Sequence, residues 1–237
     1  MPDPVHGGGA AAEAAEAAAA AGAAPVRDAA TVILWRAGRE GPAVLMGQRG
    51  AGAAFMPSKF VFPGGAVDPA DAAAPLAAPA DPVSTRRAGP GPFAATAIRE
   101  LWEETGLRLA CPCADDPRPV PPAWRGFTRD GLRPDASALT FVFRAITPPG
   151  RTRRFDARFF LAPAAAVAGD PDDFSRATDE LSHLHWVGLA EARALDLPFI
   201  TEIVLAEIAP LITSGEGPAR VPFFDNSGPQ PAFRWID

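Results

Sequence analysis

The chain has 237 residues, 48% of them hydrophobic, enough for one good-sized domain with a real core and extensions. A formal net charge of −6 argues against a general nucleic-acid binder, while 22 Lys and Arg leave room for a local basic pocket. No run of 18 apolar residues is present, so no membrane span is expected and the cytoplasm is the default compartment.

The first residues, 1–25, are Ala, Gly and Glu with almost no large side chain. They are expected to form a disordered tail, because an Ala-rich helix here has nothing to bury. A secretory signal is a poor fit, since no basic segment precedes the run and Leu, Ile and Phe are missing from it. Ala29 to Arg36 reads as a first strand. Arg39-Glu40-Gly41-Pro42 turns the chain, and Ala43 to Arg49 returns as its hairpin partner. A loop at Phe55 to Pro57 leads into a short strand over Lys59 to Phe62, which feeds Gly64-Gly65. Residues 72–91 are rich in Ala, Pro and Asp. They read as a long loop, expected to lie beside a substrate cleft.

The stretch Arg99-Glu100-Leu101-Trp102-Glu103-Glu104-Thr105-Gly106-Leu107 reads as a helix. Glu100, Glu103 and Glu104 fall at i, i+3 and i+4, so the three carboxylates share one face. Like charges so placed either form a solvated acidic face or hold a hard divalent cation such as Mg2+ or Mn2+. Pro92 suits a first turn, and Gly106 sits where a helix stops.

Arg108 to Cys111 reads as a strand edge. Cys111 and Cys113 are too close for a structural disulfide, and C-x-C with His183 and His185 lacks the usual zinc spacing. Trp124 to Phe127 reads as the start of a short helix. Leu139 to Ile146 is a clear strand, and Pro148-Pro149-Gly150 turns it into a second, Arg154 to Ala162. Along that second strand Arg154, Asp156 and Arg158 point one way. This polar face either lines the cleft, with Arg154 or Arg158 on phosphates, or is solvated. Asp170 to Thr178 is an acidic loop. Ser182 to Val187 is a strand, Leu189 to Leu195 starts a helix, and Phe199 to Ile212 has the spacing of an amphipathic helix. Residues 215–237 form an extension with Phe223, Phe224, Phe233 and Trp235. Aromatics at that density seldom stay in water, so the segment is expected to pack on the domain or on a second subunit, as in a homodimer.

Taken together, residues 65–107 resemble the Nudix box, G-x5-E-x7-R-E-U-x-E-E-x-G-U, where U is a bulky aliphatic. Every fixed position of its second half is met from Arg99 to Leu107, and the opening glycine maps to Gly65. Two departures stand out. Asp71 takes the place of the first Glu, and the spacer from Ala72 to Ile98 is 20 residues longer than the pattern allows. The flanks Leu45 to Arg49, Phe55 to Pro57, Phe60 to Gly65 and Arg154 to Phe160 are similar to a branch that includes peroxisomal coenzyme A diphosphatases with an insert in the box.

The resemblance implies an α/β fold, a mixed β-sheet sandwiched between α-helices, over residues 26–214 with the insert at about 72–91. It implies metal-dependent hydrolysis of a diphosphate linked to another moiety, with a small nucleotide-type substrate. Coenzyme A or acyl-coenzyme A leads. ADP-ribose, a nucleotide sugar, a damaged nucleotide or a non-catalytic ligand-binding regulator are alternatives. Glu100, Glu103 and Glu104, with the Gly65 carbonyl, are implied as metal ligands, and Arg99 as the residue that orients the box through Asp71 and Glu103. A Glu of the box or one downstream would act as base, with Glu180 the downstream candidate and Asp179 its rival. Arg49, at its strand end, falls near substrate phosphates in such proteins; a surface ion pair is the plain alternative.

Overall fold

The computed structural model describes residues 24–53, 55–228 and 230–237; the expected tail lies outside them except for its last two positions. The order of elements is β1 (Val26–Gly38), β2 (Gly41–Arg49), β3 (Phe60–Val61), β4 (Gly64–Ala66), α1 (Pro82–Ala88), α2 (Phe93–Thr105), β5 (Ala110–Pro112), β6 (Leu132–Pro134), β7 (Thr140–Ile146), β8 (Arg154–Pro163), β9 (Leu181–Gly188), α3 (Phe199–Ser214), β10 (Val221–Asp225) and β11 (Ala232–Ile236).

Nine of these strands form one mixed sheet in the order β11-β10-β7-β8-β1-β2-β3, with β4 joined to β1 and β9 to β2. Strand β1 is its axis. It runs parallel to β8 from Val26 to Trp35, while its other edge is shared. The N-terminal half of that edge pairs with β4, Ala30 opposite Gly65, and the C-terminal half pairs with β2, Trp35 opposite Val44.

A period of two along the strands sorts side chains into two cores. Val32 and Leu34 of β1 and Leu45 of β2 face α2, where they meet Ala97, Ile98 and Leu101. Ile33, Val44 and Met46 face the other way, onto Val204, Leu205 and Ile208 of α3. Each fully buried side chain of this size contributes about 1.5–3 kcal/mol relative to exposure. A charge at Ile33 would break the α3 side of the sandwich. Helix α2 ends as its sequence predicts: Gly106 takes a left-handed conformation at φ +78, and its N–H donates to Trp102 O.

The insert is not a structureless loop. It departs from a 3-10 turn, Pro69–Ala73, and holds helix α1. The Asp81 carboxylate caps α1, accepting from the Val83 and Ser84 N–H groups at 2.9 and 3.0 Å, with Pro82 in the first turn. Phe141 N–H donates to Ser84 Oγ at 2.9 Å, and Arg87 donates to Pro218 O at 2.7 Å. Ala80 and Ala88 are buried in the α2 core. Their small side chains let this backbone lie close against the sheet. The helix therefore packs on β7 and towards the start of α2.

Two smaller expectations change. The turn at Trp124 is a 3-10 turn over Pro122–Trp124, and residues 189–195 hold only a 3-10 turn, Ala192–Ala194. The aromatic extension packs on its own domain: β10 runs parallel to β7, and β11 closes a hairpin on β10.

Candidate active site

The site grows from the junction of β4 with α2. Strand β4 passes so close to β1 that a Cβ at Gly64 would fall 2.5 Å from Thr31 Oγ1. One residue on, a Cβ at Gly65 would fall 2.5 Å from Glu100 Oε1. Only glycine lets the backbone lie against these carboxylates.

Arg99 organises the acidic face. Its Nε donates to Asp71 Oδ1 at 2.7 Å and its Nη2 to Asp71 Oδ2 at 3.0 Å, the fork that guanidinium and carboxylate geometry favours. Nη1 donates to Glu100 Oε1 at 2.8 Å and to Glu103 Oε2 at 2.9 Å, and Nη2 also reaches Ala66 O at 2.9 Å. Asp71, with its side chain fully buried, also accepts from Thr96 Oγ1 at 2.7 Å and from Asp68 N–H at 2.9 Å. The carboxylate that takes the place of the expected Glu is thus fully hydrogen-bonded, and the insert leaves it beside Arg99.

The three glutamates of α2 are not equivalent. Glu100 and Glu104 are buried, whereas the Glu103 side chain is 46% exposed. Gly64 N–H donates to Glu104 Oε2 at 2.9 Å. Burial pushes Glu104 up to about 8, against the pull of that N–H. Burial likewise raises Glu100 to about 7, with Arg99 opposing. Arg49 and Glu180 lie near enough to act on the pair. Arg49 lowers the pKa of Glu104, and Glu180 raises those of both Glu100 and Glu104. The register explains this: Arg49 of β2 stands opposite Leu181 of β9, which follows Glu180 in the chain. Arg49 Nε is buried with no hydrogen-bond partner among the described residues.

Among the described residues, no three acidic, His or Cys side chains converge as they would around an ion. Arg99 draws Glu100 and Glu103 towards itself, and Gly64 draws Glu104 to the other side. The donor set still fits a hard divalent cation. Its atoms are carboxylate oxygens beside a glycine backbone, and charging the two buried carboxyls is unfavourable in the protein alone, a cost that a cation offsets.

Arg154 and Arg158 do not join this cluster, and their face is neither cleft nor solvated surface. Arg158 is 6% exposed; its Nη1 donates to Asp28 Oδ1 at 2.6 Å, and its guanidinium lies 3.9 Å from the Phe93 ring centroid. Asp156 also binds Arg144, at 2.6 Å, and Arg154 Nε donates to Thr147 O at 3.0 Å. Ala88 of α1 and Phe93 of α2 against Arg158, with Asp28 from the neighbouring strand β1, turn an apparently polar stripe into a buried ion network. Sequence reasoning missed the Ala66 carbonyl, the Gly64 N–H and Thr96 as partners of the site. Of these only Thr96, one helical turn before Arg99, carried a signal that spacing shows.

The NUDIX domain family matches residues 25–207. A curated relative, the human acyl-coenzyme A diphosphatase NUDT19, is 30% identical over 179 residues, covering 52% of this chain and 48% of its own. The chain thus spans about half the length of that relative. A crystal structure of a NUDIX hydrolase from Alicyclobacillus acidocaldarius superposes with a TM-score of 0.63 at 27% identity, covering 80% of this chain and 96% of that one.

Proposed function

Because this chain belongs to the NUDIX domain family, we propose that it is a metal-dependent hydrolase that cleaves the diphosphate linkage of a nucleoside diphosphate derivative, with coenzyme A or acyl-coenzyme A as substrate. The observation that carries the reading is the buried Glu100–Glu104 pair held against Gly64–Gly65, with Glu100 fastened by Arg99 to Asp71. The name of the human relative supports the coenzyme A branch.

Glu100, Glu103 and Glu104, with the Gly65 carbonyl, would hold Mg2+ or Mn2+. When bound, such an ion supplies positive charge at the phosphoryl oxygens and lowers the pKa of a water. Arg99 fixes two of the three carboxylates and so sets the shape of the site before substrate arrives. Arg49 brings to the same cluster a buried N–H that is unpaired among the described residues, and holds a phosphate oxygen. Glu180, exposed at the rim, takes the proton from the attacking water on its carboxylate. The water oxygen bonds to phosphorus, the bridging P–O bond breaks, and the phosphate-bearing leaving group departs. The hydrolase unit runs over residues 26–214, with 215–237 as a β-hairpin completing its sheet.

Phosphorus NMR of products tests this directly. The protein is incubated with Mg2+ or Mn2+ and, in turn, coenzyme A, ADP-ribose, NADH and nucleoside triphosphates. Cleavage of coenzyme A into a phosphopantetheine and an adenosine bisphosphate is expected. Cleavage of another member instead keeps the chemistry and discards coenzyme A. No cleavage with any metal discards the hydrolase reading.

A further inference from the structure

Beside Glu103 a cleft of about 660 Å3 opens between α2 and the segments around residues 126–130 and 176–178. That size falls in the range of small-molecule sites, roughly 300–1,000 Å3. Its aromatic wall is Trp102. The indole stands edge-to-face on Phe127, 5.5 Å between centroids, and lies over Gly126, where a Cβ would come within 2.9 Å of Trp102 Cη2. The ring is therefore fixed from behind while it borders the cleft. Arg176 is fixed through its backbone, which docks on the cap of α2: a Cβ at Gly106 would fall 2.8 Å from Arg176 Cβ.

Four charged residues line the cleft, and their pairing is uneven. Glu103 takes a hydrogen bond from Arg99 at 2.9 Å, and Asp130 one from Arg108 at 3.3 Å. Arg129 and Arg176 make no side-chain hydrogen bond or ion pair among the described residues, although Arg176 acts on Asp173 at longer range. The cleft thus combines an immobilised aromatic ring with two guanidiniums whose donors are free. Nucleobases stack on such rings, and phosphates pair with such donors.

Its position relative to the buried carboxylates decides which phosphate it serves. At about 100° per residue, Glu103 lies between Trp102 and the Glu100–Glu104 pair around the helix. Arg129 and Arg176 line the cleft together with Trp102 and Glu103, whereas Glu100 and Glu104 do not line it. The loop that lines the cleft at Thr178 continues within two residues to Glu180, so the two places adjoin along one rim.

We propose that this cleft is a nucleoside subsite: a base lies against Trp102, and Arg129 and Arg176 hold a phosphate that is not part of the scissile diphosphate. The ligand class is a nucleoside bearing a second phosphate. The assignment rests on the hydrolase reading only for its link to turnover.

The test is calorimetric titration of the full chain, without divalent metal, using adenosine 3′,5′-bisphosphate and adenosine 5′-monophosphate. The bisphosphate is expected to bind about tenfold more tightly or better, as charge-assisted hydrogen bonds require. Arg129→Gln with Arg176→Gln should bring it down to the monophosphate's affinity and leave the monophosphate unchanged. Trp102→Leu should weaken both. The arginines are exposed, so the double variant remains informative even if Trp102→Leu fails to fold. Equal affinity of the two nucleotides, no binding of either, or a double variant that binds the bisphosphate like the parent overturns the subsite. If variant-sensitive binding holds while the substrate panel is not cleaved, the hydrolase reading fails and the subsite stands. If coenzyme A is cleaved with unaltered kcat/KM in the double variant, the reverse holds.

Discussion

Arg99 and Asp71, 28 residues apart in the chain, are joined by two hydrogen bonds of 2.7 and 3.0 Å in a buried pocket. The same guanidinium holds Glu100 and Glu103, so one ion pair ties the segment before the insert to the acidic face after it. Removing one partner of a buried pair leaves the other charge uncompensated, which costs about 3–5 kcal/mol. Asp71→Ala should lower stability by that order in urea unfolding. It should also weaken Mn2+ binding about 10- to 100-fold, because Arg99 no longer fixes two carboxylates. Unchanged Mn2+ affinity in a folded variant would show that Arg99 does not orient the site.

Glu104 gives a prediction with two readouts. Glu104→Gln preserves an acceptor for Gly64 N–H, so the fold should persist while turnover falls by orders of magnitude. Near-normal kcat in the folded variant would remove Glu104 from the metal set. Stability gives the second readout. The folded carboxyl titrates at about 8, above its ordinary 4.5, so between those values the folded state holds more proton than the unfolded state. Stability of the metal-free protein is therefore lost as pH rises from about 5 to 8. Glu100, raised to about 7, acts in the same direction. Thermal melts should fall by several degrees over this window in the parent and by less in Glu104→Gln. Added Mn2+ should restore the parent at the alkaline end. A parent whose Tm rises with pH in chelator would contradict the burial argument.

Arg49→Ala removes the buried Nε that has no hydrogen-bond partner among the described residues. A hydrogen bond to a charged group contributes about 1.5–3 kcal/mol, so kcat/KM should fall about 10- to 100-fold. Contact with a phosphate that does not change charge in the reaction should appear mainly in KM. A fall confined to kcat would instead place Arg49 on the transition state, and no change would return it to a structural role.

The insert should prove necessary for folding. Ser84→Ala strips the acceptor from the buried Phe141 N–H and should cost about 1–3 kcal/mol. Deleting residues 74–90 uncovers β7 as well and should leave no cooperative melt. A deleted form that melts like the parent would show that α1 only decorates the sheet.

Periodicity carried much of this reading. The spacing of Arg99 to Leu107 indicated the helix, its glycine stop and the three carboxylates, because those depend on neighbours within two turns. The strands at Ala29–Arg36, Leu139–Ile146 and Arg154–Ala162 were legible in the same way; the structure lengthens the first and third by a few residues and starts the second at Thr140. The fates of Arg154 and Arg158 were not legible. A stripe of alternating charge looks the same whether water or another element covers it, and here residues of α1 and α2 pack against Arg158. The helix in the insert was hidden as well, since Ala and Pro carry no amphipathic period and its stability comes from Phe141 and residues 218–219.

By itself the sequence determined the acidic helix, the glycine approach and the resemblance to one family, all of which are encoded in fixed local spacing. Only the tertiary structure decided that Asp71 still meets Arg99 across the insert, that Glu100 and Glu104 are buried while Glu103 is not, and that Arg49 and Glu180 adjoin them. Those relations depend on strand register and on what packs over each face, and burial, not residue type, sets how much a charge costs.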